Sequence, residues 1–189
     1  MQERGTAPPL SVPEARRHGA TRLAVAGAVA CCVVAVDQLT KSWAVSRLSS
    51  GDIHVFWKLD LVLEYNSGSS FSFAQGWAPV IGGAAAVVVC ILLVMVRHAR
   101  SNAVAVALGL VIGGALGNLS DRVFRSHHGA VVDFIALHFW PTFNVADSCV
   151  VVGSILLVLL LWRSQPATGP PGAGAPVAGP TGANQAAQT

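Results

Sequence analysis

The stretch Pro141–Trp162, PTFNVADSCVVVGSILLVLLLW, is almost wholly apolar after Asp147. A helix of about 20 mostly apolar residues is long enough to cross the hydrocarbon core of a bilayer. Ionisable side chains are costly at membrane depth, and where they occur they often mark a functional site. The stretch therefore predicts a membrane helix whose first turn carries a functional candidate, Asp147.

Three further stretches have a similar apolar character, at about residues 23–43, 77–96 and 103–119. With 53% hydrophobic and 11% charged residues, the chain of 189 residues is too apolar for an ordinary soluble domain. We therefore expect an all-α integral membrane protein with four transmembrane helices over residues 21–163. Residues 1–20 and the Pro-, Gly- and Ala-rich residues 164–189 lack a periodic apolar pattern and are expected to be disordered tails.

The basic residues indicate an orientation in the membrane. Six of them flank helix ends that would share one side, namely Arg16, Arg17, Arg22, Arg97, Arg100 and Arg163. Because positive charge marks the cytoplasmic side, we expect both termini in the cytoplasm and the connections at about 44–76 and 120–143 on the outer face. The charges are too few and too scattered to bind nucleic acid.

The first outer connection has the composition of β-strands. Its residues 53–76, IHVFWKLDLVLEYNSGSSFSFAQG, are rich in β-branched and aromatic side chains and partly alternate in polarity. This pattern predicts short strands with a turn near Asn66–Gly68. Because an unpaired strand edge cannot face lipid, we expect a small β-rich cradle at the outer face, between the first and second helices.

Asp37 and Lys41, in DQLTK, lie four residues apart in the first apolar stretch. On a helix they share one face and can form an ion pair. Such a pair, taken alone, is more often structural than functional.

The third apolar stretch ends in GGALGNLSDR. Gly113 and Gly117 have the spacing of small residues that lets another helix approach closely. Asn118 and Asp121 lie on one side of this helix, where polar bonds between helices are the simplest interpretation. We expect the Asp121 carboxylate to hold Arg122, which explains a cation on the outer side.

Two further aspartates change the interpretation. Asp133 lies in the apolar segment GAVVDFIALHFW, and Asp147 follows a candidate N-cap, Asn144. Alone, Asp147 is explained by the helix dipole. Together, the two carboxylates fall at the same outer edge, joined by a short loop. Two carboxylates held together share a proton. They then provide the base and the acid that peptide hydrolysis needs without a metal or a covalent intermediate.

Other classes of site fit less well. His127 and His128 are adjacent and have no obvious third ligand, so neither a metal nor another cofactor is expected. A proton-coupled transporter or small channel is the alternative function, because membrane acids also relay protons. Transporters usually place such groups near the midplane between inverted repeats. Here the acids cluster at one face and no repeat is evident, while a non-catalytic scaffold leaves the paired acids unexplained.

Five motifs together resemble the bacterial lipoprotein signal peptidases (signal peptidase II), in the order DQLTK, YNSGSSFSF, GGALGNLSDR, VVDFI and FNVADS, over residues 22–163. The resemblance implies a four-helix aspartic endopeptidase of the bacterial cell membrane. Such enzymes cut prolipoproteins before a cysteine that carries a diacylglyceryl group, and globomycin inhibits them. The implied partners are these precursors and membrane lipid, and a monomer is expected.

The resemblance also implies roles for single residues. It assigns the two catalytic aspartates to Asp133 and Asp147. The positions that match supporting residues of the family are Asp37, Lys41, Asn66, Gly68, Asn118, Asp121, Arg122, Asn144 and Ala146. The sequence departs from the family pattern at Ser69–Ser70, at Ala136 and in a short link from Asp133 to Asn144. These departures concern loop shape and substrate preference, and they leave both aspartates in place.

Overall fold

The computed structural model describes residues 12–67, 78–125 and 129–163. These residues form four helices and four strands, with two strands between the first and second helices and two between the third and fourth. In chain order they are α1 (Val12–Leu48), β1 (Ile53–Phe56), β2 (Leu59–Asn66), α2 (Ala78–Arg97), α3 (Asn102–Phe124), β3 (Val131–Leu137), β4 (Trp140–Phe143) and α4 (Val145–Arg163).

Three segments within these helices are long and apolar enough to cross a membrane: Gly19–Leu48, Asn102–Phe124 and Val145–Arg163. The apolar segment found in α2, Gly82–Arg97, is shorter. Large apolar side chains such as Leu39, Ile91 and Val158 lie exposed on the outside of the helices, which is the surface that lipid would cover. A membrane protein with apolar helices is thus confirmed.

Helix α1 starts earlier than the sequence indicated. It begins at Val12, inside the stretch 1–20 that was expected to be disordered. Pro13 falls in its first turn, where a missing amide hydrogen costs no helical hydrogen bond and the fixed φ of proline suits the helix. A proline in this position favours helix initiation rather than disorder.

The strands form a single antiparallel sheet in the order β1-β2-β3-β4. The predicted cradle between the first two helices supplies only β1 and β2, and the connection from α3 to α4 supplies the other half. The hairpin turn of β1 and β2 lies at Trp57–Lys58. The turn predicted near Asn66–Gly68 extends beyond the described residues, which end at Ser67 in this part of the chain. Trp57 has a φ of 51°, a conformation that costs energy for a bulky residue.

The connection from Asp133 to Asp147 is not a short loop, as the sequence suggested, because Asp133 lies within β3 and β4 follows before α4. The first four residues of β3 are buried. In the register of β2 with β3, Asn66 lies opposite Val131 and Glu64 lies opposite Asp133. A strand was missed here because VVDFIAL is apolar on both sides of Asp133 and shows no clear alternation, as in a strand buried on both faces.

Two hydrophobic clusters hold the elements together. The first joins α1, α2 and α3 through residues such as Ala30, Leu92 and Leu108. In the second, Ala44 and Leu48 at the end of α1 pack against Phe134 of β3. This second cluster fixes the sheet over one end of the bundle, which we call the sheet end.

Glycines let α3 approach its neighbours closely. A Cβ atom added at Gly113 would lie 2.9 Å from the backbone oxygen of Ala30 in α1, and one added at Gly117 would lie 2.7 Å from Asp37 Oδ2. The predicted role of this glycine pair in close helix packing is therefore confirmed. Gly114 faces the other neighbour, because its added Cβ would overlap the backbone oxygen of Ala146 at the start of α4.

Replacing Gly114 with alanine is expected to destabilise the protein by about 1–3 kcal/mol, the usual cost of overpacking. The new methyl group can be accommodated only if the first turn of α4 moves, and that turn carries Asp147. The melting temperature in detergent measures the effect. Gly83→Ala is the matched control, because an added Cβ there has nothing within 4 Å. Equal melting temperatures for the two variants would contradict the packing argument.

Candidate active site

Five polar side chains are almost fully buried at the sheet end, and they come from α1, α3, β3 and the residue before α4. They are Asp37, Lys41, Asp121, Asp133 and Asn144. Charged side chains are seldom buried unless they are paired or hydrogen-bonded. Their partners therefore define the chemistry of this region.

Asp147 lies in the first turn of α4, and Asn144 caps that turn. The backbone amide of Asp147 donates to Asn144 Oδ1 at 2.9 Å, and the backbone amide of Asn144 donates to Asp147 Oδ2 at 3.2 Å. This reciprocal pair is a capping box, and it confirms Asn144 as the N-cap. Asn118 of α3 donates from Nδ2 to Asp147 Oδ1 at 2.7 Å. The carboxylate is thus held by donors at both oxygens.

Asp133 is more deeply buried than Asp147. Asn144 Nδ2 donates to its Oδ1 at 2.6 Å, and Asn66 Nδ2 donates to its Oδ2 at 3.0 Å. Burial raises the pKa of Asp133 to about 6; the negative charge of Asp147 also raises it, while the bonds from Asn66 and Asn144 lower it. A carboxyl group with such a pKa can hold a proton near neutral pH and release it.

Asn144 therefore links the two aspartates. One end of its side chain bonds the Asp133 carboxyl group, and the other bonds the backbone of Asp147. Both acids predicted from the sequence are thus brought to one place, although one lies on a strand and the other on a helix. Both carboxyl groups accept hydrogen bonds, but Asp133 is almost fully buried and has a raised pKa whereas Asp147 is half-buried, and such unequal environments suit acid–base chemistry.

Asp37 and Lys41 form the predicted ion pair, with Lys41 Nζ 2.8 Å from Asp37 Oδ2. Lys41 also lies 2.9 Å from Asp121 Oδ2 and donates to Asn118 Oδ1 at 2.9 Å. Asp37 Oδ1 accepts from the Ala146 amide at 2.9 Å. The pair thus connects α1 with α3 and with the start of α4, beyond what the spacing of the two residues predicted.

The predicted partner of Asp121 was wrong. Its carboxylate bonds Lys41, Arg125 Nε at 3.0 Å, Gln38 Nε2 at 2.9 Å and the Val132 amide at 3.1 Å. Arg122 is not among the ion-pair partners that the structure describes for Asp121. Adjacent residues on a helix point in different directions, whereas residues four apart are neighbours, so Arg125 takes the position that was expected of Arg122.

Arg122 interacts electrostatically with several aspartates without forming an ion pair that the structure describes. Its guanidinium lies within electrostatic range of Asp147, Asp121 and Asp133. One guanidinium nitrogen donates to the Asn118 backbone oxygen at 3.3 Å, and its buried Nε has no hydrogen-bond partner within the described part of the chain. Arg122 thus supplies positive charge beside the acid pair.

The sequence did not reveal the roles of Gln38 and Arg125. Gln38 is adjacent to Asp37, and Arg125 follows Asp121 by one helical turn, so the spacing from Asp121 to Arg125 was the available signal. Gly68 lies outside the described residues, as do Ser69–Ser70 and the pair His127 and His128. Over residues 12–67, 78–125 and 129–163, no group of three or more His, Cys, Asp or Glu side chains could hold a metal ion.

A separate set of titratable side chains lies on the exposed part of the sheet. His54 Nδ1 is 2.6 Å from Asp60 Oδ1, and His138 Nε2 is 2.8 Å from Asp60 Oδ2. The hydrogen bonds from His138 and His54 lower the pKa of Asp60. This cluster joins β1, β2 and the turn before β4, and it is accessible to water.

An apolar groove of about 350 Å³ opens beside Asp147, between the hairpin of β3 and β4 and the first turns of α4. Its volume is in the range of small-molecule sites. The residues that line it are Leu137, Phe139, Trp140, Phe143, Asp147, Ser148, Val151 and Val152. Asp147 is the one charged group among them, so the groove places an apolar surface directly beside a candidate catalytic carboxylate.

Comparison with known proteins identifies relatives of this chain. The profile of the family described as signal peptidase (SPase) II matches residues 29–163. The lipoprotein signal peptidase of Rhodococcus jostii (strain RHA1) is 42% identical over 163 residues, which cover 82% of this chain and 78% of that protein. The lipoprotein signal peptidase of Mycobacterium avium (strain 104) is 43% identical over 148 residues, with coverage of 74% and 79%.

A solved structure described as a bacterial membrane enzyme, determined by the in meso method at 1.9 Å resolution, has the same fold. Its TM-score is 0.67 at 27% sequence identity, and the match covers 74% of this chain and 94% of that chain. The family profile spans both aspartates, the Asp37–Lys41 pair and all of α2, α3 and α4. On these grounds, the chain belongs to the signal peptidase II family of membrane peptidases.

Proposed function

We propose that this chain removes signal peptides from diacylglyceryl-modified prolipoproteins, cutting before the lipidated cysteine with Asp133 and Asp147 as its catalytic pair. The observation that carries the proposal is the Asn144 side chain, which bonds the Asp133 carboxyl group and the Asp147 backbone at once. The names of the relatives, lipoprotein signal peptidases, support the class of substrate.

In the proposed reaction, Asp147 acts as the base. Its carboxylate takes a proton from a water molecule, and the resulting hydroxide attacks the scissile carbonyl carbon. Asp133 gives its proton to the carbonyl oxygen, so that a neutral tetrahedral intermediate forms. Its pKa of about 6 lets it hold that proton near neutral pH.

The intermediate then collapses towards the products. Asp133 takes back the hydroxyl proton, and Asp147 gives its proton to the leaving nitrogen. The signal peptide leaves with a new carboxyl terminus, and the lipidated cysteine becomes a free amine. Each aspartate ends in its starting state, so neither a cofactor nor a covalent intermediate is required.

The remaining matched residues have supporting roles in this proposal. Asn66 and Asn144 orient Asp133, while Asn118 orients Asp147. Arg122 offers positive charge to the partial negative charge that develops on the carbonyl oxygen before proton transfer from Asp133 is complete.

The groove beside Asp147 is the proposed place for an acyl chain of the substrate. A lipid bonded to the cysteine after the cut must lie close to the scissile bond, and the groove is both apolar and adjacent to Asp147. Its wall on α4 contains Val151 and Val152, which are exposed on the surface that lipid would cover. A chain can therefore enter from the bilayer without crossing water.

Filling the groove is expected to weaken binding of lipidated substrate. Val152→Trp should raise KM for a diacylglyceryl precursor about tenfold or more, since each methylene displaced from apolar contact costs about 0.8 kcal/mol. Steady-state kinetics in detergent micelles measure the effect. Ile155→Trp is the matched control, because Ile155 is exposed on the same helix and does not line the groove. An equal rise in KM for both variants would exclude the groove as the lipid site.

The proposed orientation has four membrane spans, both termini in the cytoplasm and the sheet end outside. The distribution of basic residues supports it, with Arg22, Arg97 and Arg163 at the opposite end from the sheet. A substrate anchored by its lipid in the outer leaflet would meet the aspartates at that depth.

Cysteine labelling tests this orientation. In a background without the four native cysteines, Asp52→Cys and His127→Cys should react with an impermeant reagent from outside intact cells. Ser101→Cys and Ala178→Cys should react only after the membrane is opened. The reverse pattern would place the aspartates on the cytoplasmic face and contradict the proposed topology.

The central experiment uses the purified full chain and a synthetic precursor with a diacylglyceryl-modified cysteine. Release of the signal peptide is followed by mass spectrometry, with globomycin as a competitor and the same peptide without lipid as the control. Cleavage before the lipidated cysteine that globomycin blocks supports the proposal. No cleavage by folded protein, together with proton flux in liposomes, would favour the transporter instead.

A further inference from the structure

Lys41 is fully buried and uses all of its hydrogen-bonding capacity. Its ammonium group contacts Asp37 Oδ2 at 2.8 Å, Asp121 Oδ2 at 2.9 Å and Asn118 Oδ1 at 2.9 Å. An ammonium group carries three hydrogens and accepts none. These three contacts therefore saturate it.

Charge neutralisation explains only two of those contacts. Asp121 also pairs with Arg125, whose Nε is 3.0 Å from its Oδ1. Asp37 and Asp121 are thus balanced by Lys41 and Arg125, and the cluster carries no net charge. The bond from Lys41 to the neutral amide of Asn118 adds nothing to this balance, so it has a different consequence.

That consequence is the orientation of the Asn118 amide. Because Lys41 can only donate, the atom that faces it must be the amide oxygen. The Nδ2 group then faces Asp147 Oδ1, at 2.7 Å. Asn144 Nδ2 also approaches Asn118 Oδ1, at 3.1 Å, but it shares its two hydrogens with the Val132 oxygen and Asp133 as well. Lys41 is therefore the stronger constraint on which way this amide points.

We propose that Lys41 is a positioning residue that acts through Asn118 to keep Asp147 the ionised member of the acid pair. This inference rests on the proposed function. Asn118 Nδ2 donates to Asp147 Oδ1, and the backbone amide of Asn144 donates to Asp147 Oδ2. A proton on either oxygen of Asp147 would therefore compete with a donor. Asp133 also accepts from donors at both oxygens, Asn66 and Asn144, but it is almost fully buried whereas Asp147 is half-buried. Burial disfavours the charged form, so the proton of the pair is left to Asp133. A reversed amide would instead present its oxygen to the Asp147 carboxylate and repel the charge.

Other charged groups also face Asp147, and they must be held constant in a test. Arg122 approaches from α3 and Asp133 from β3. Helix α1 contributes Asp37 and Lys41, which belong to the neutral cluster, and β4 has no charged residue. A useful variant therefore removes the Lys41 donor without changing the net charge of the cluster.

The double variant Lys41→Met with Asp121→Asn meets this condition, because one negative charge on Asp37 and one positive charge on Arg125 remain in the cluster. The readout is the acid limb of the pH profile of kcat/KM, which reports protonation of the catalytic pair as a unit. In this double variant we expect the apparent pKa of the acid limb to rise by at least one pH unit. Asn118→Ala alone should cause an equal rise. Adding Asn118→Ala to the double variant should raise the apparent pKa of the acid limb no further.

Two controls separate amide orientation from general damage. Lys41→Gln with Asp121→Asn has the same charge and retains an N–H donor for Asn118, so it should restore the profile. Asp121→Asn alone keeps Lys41 and should not raise the limb. An unchanged limb in the folded methionine variant overturns the proposal, as does an additive shift when Asn118→Ala is included.

Two measurements do not depend on turnover. Infrared difference spectra of the full chain, assigned with Asp147→Asn, should show the Asp147 carboxylate band persisting to lower pH in the unmodified protein than in Asn118→Ala. If the Lys41 variants do not fold, solid-state NMR of the unmodified protein still tests the orientation of the Asn118 side-chain amide. The proposal requires Asn118 Nδ2 to lie beside the Asp147 carboxyl carbon. A reversed amide overturns the inference. Absence of cleavage with these spectra as expected would instead reject the proposed function.

Discussion

Asp133→Asn is expected to lower kcat/KM for a lipidated precursor by about 10³-fold or more, while the protein stays folded. An amide fills the same space but cannot give a proton to the substrate oxygen, and general acid–base catalysis typically contributes about 10²–10⁴-fold. Removing half of a proton-sharing pair disables both of its functions. Single-turnover cleavage of the synthetic precursor measures the loss.

Folding and ligand binding provide the controls for this variant. Asn66 and Asn144 can each still bond an oxygen or nitrogen at position 133 after one amide rearrangement, so we expect globomycin affinity to change only modestly. Asp147→Asn should be equally inactive, because its amide cannot take a proton from water. Cleavage at the unmodified rate by either folded variant would refute the assignment of the catalytic pair.

Asp121→Asn is expected to have the opposite signature, with a large loss of stability and residual cleavage. The Asp121 carboxylate is fully buried and bonds Lys41, Arg125 and the Val132 amide. Removing one member of a buried ion-pair network costs about 3–5 kcal/mol, because the partners are left without compensation. The melting temperature should fall sharply, while Asp133 and Asp147 remain available in the folded fraction.

Asp60→Asn is the matched control for the loss of a carboxylate. Asp60 also bonds two basic side chains, His54 and His138, but it lies on the exposed part of the sheet. Solvent screening makes such pairs weak, so its melting temperature should change far less than that of Asp121→Asn. A stable but inactive Asp121→Asn protein, beside an active Asp133→Asn protein, would reverse the two roles.

The wrong prediction for Arg122 shows that adjacent residues in a sequence do not necessarily form an ion pair in a helix. Asp121 and Arg122 are adjacent, and adjacency suggested an ion pair between them. A helix turns by about 100° per residue, so adjacent side chains diverge and Arg125, four residues on, reaches Asp121 instead. The charge of Arg122 instead acts at longer range on Asp147, Asp121 and Asp133.

The strands show a second limit. The pattern of residues 53–76 predicted strands in the first connection, and β1 and β2 are present in the part of it that the structure describes. The pairing of β2 with β3 joins residues about 70 positions apart, and the mostly apolar segment around Asp133 showed no alternation that would reveal β3. Only that pairing brings Asn66 to Asp133.

The sequence by itself determined the membrane-helical character, the Asp37–Lys41 pair, the close-packing glycines of α3 and the cap formed by Asn144. These features follow from apolar length or from spacings within one helix, and local geometry fixes them. The tertiary structure decided which side chains meet across elements. Lys41 reaches Asp121 and Asn118 in α3, and Asn144 reaches Asp133 in β3. Buried polar groups must find partners wherever packing places them, so these contacts depend on how the helices and the sheet assemble and not on spacing along the chain.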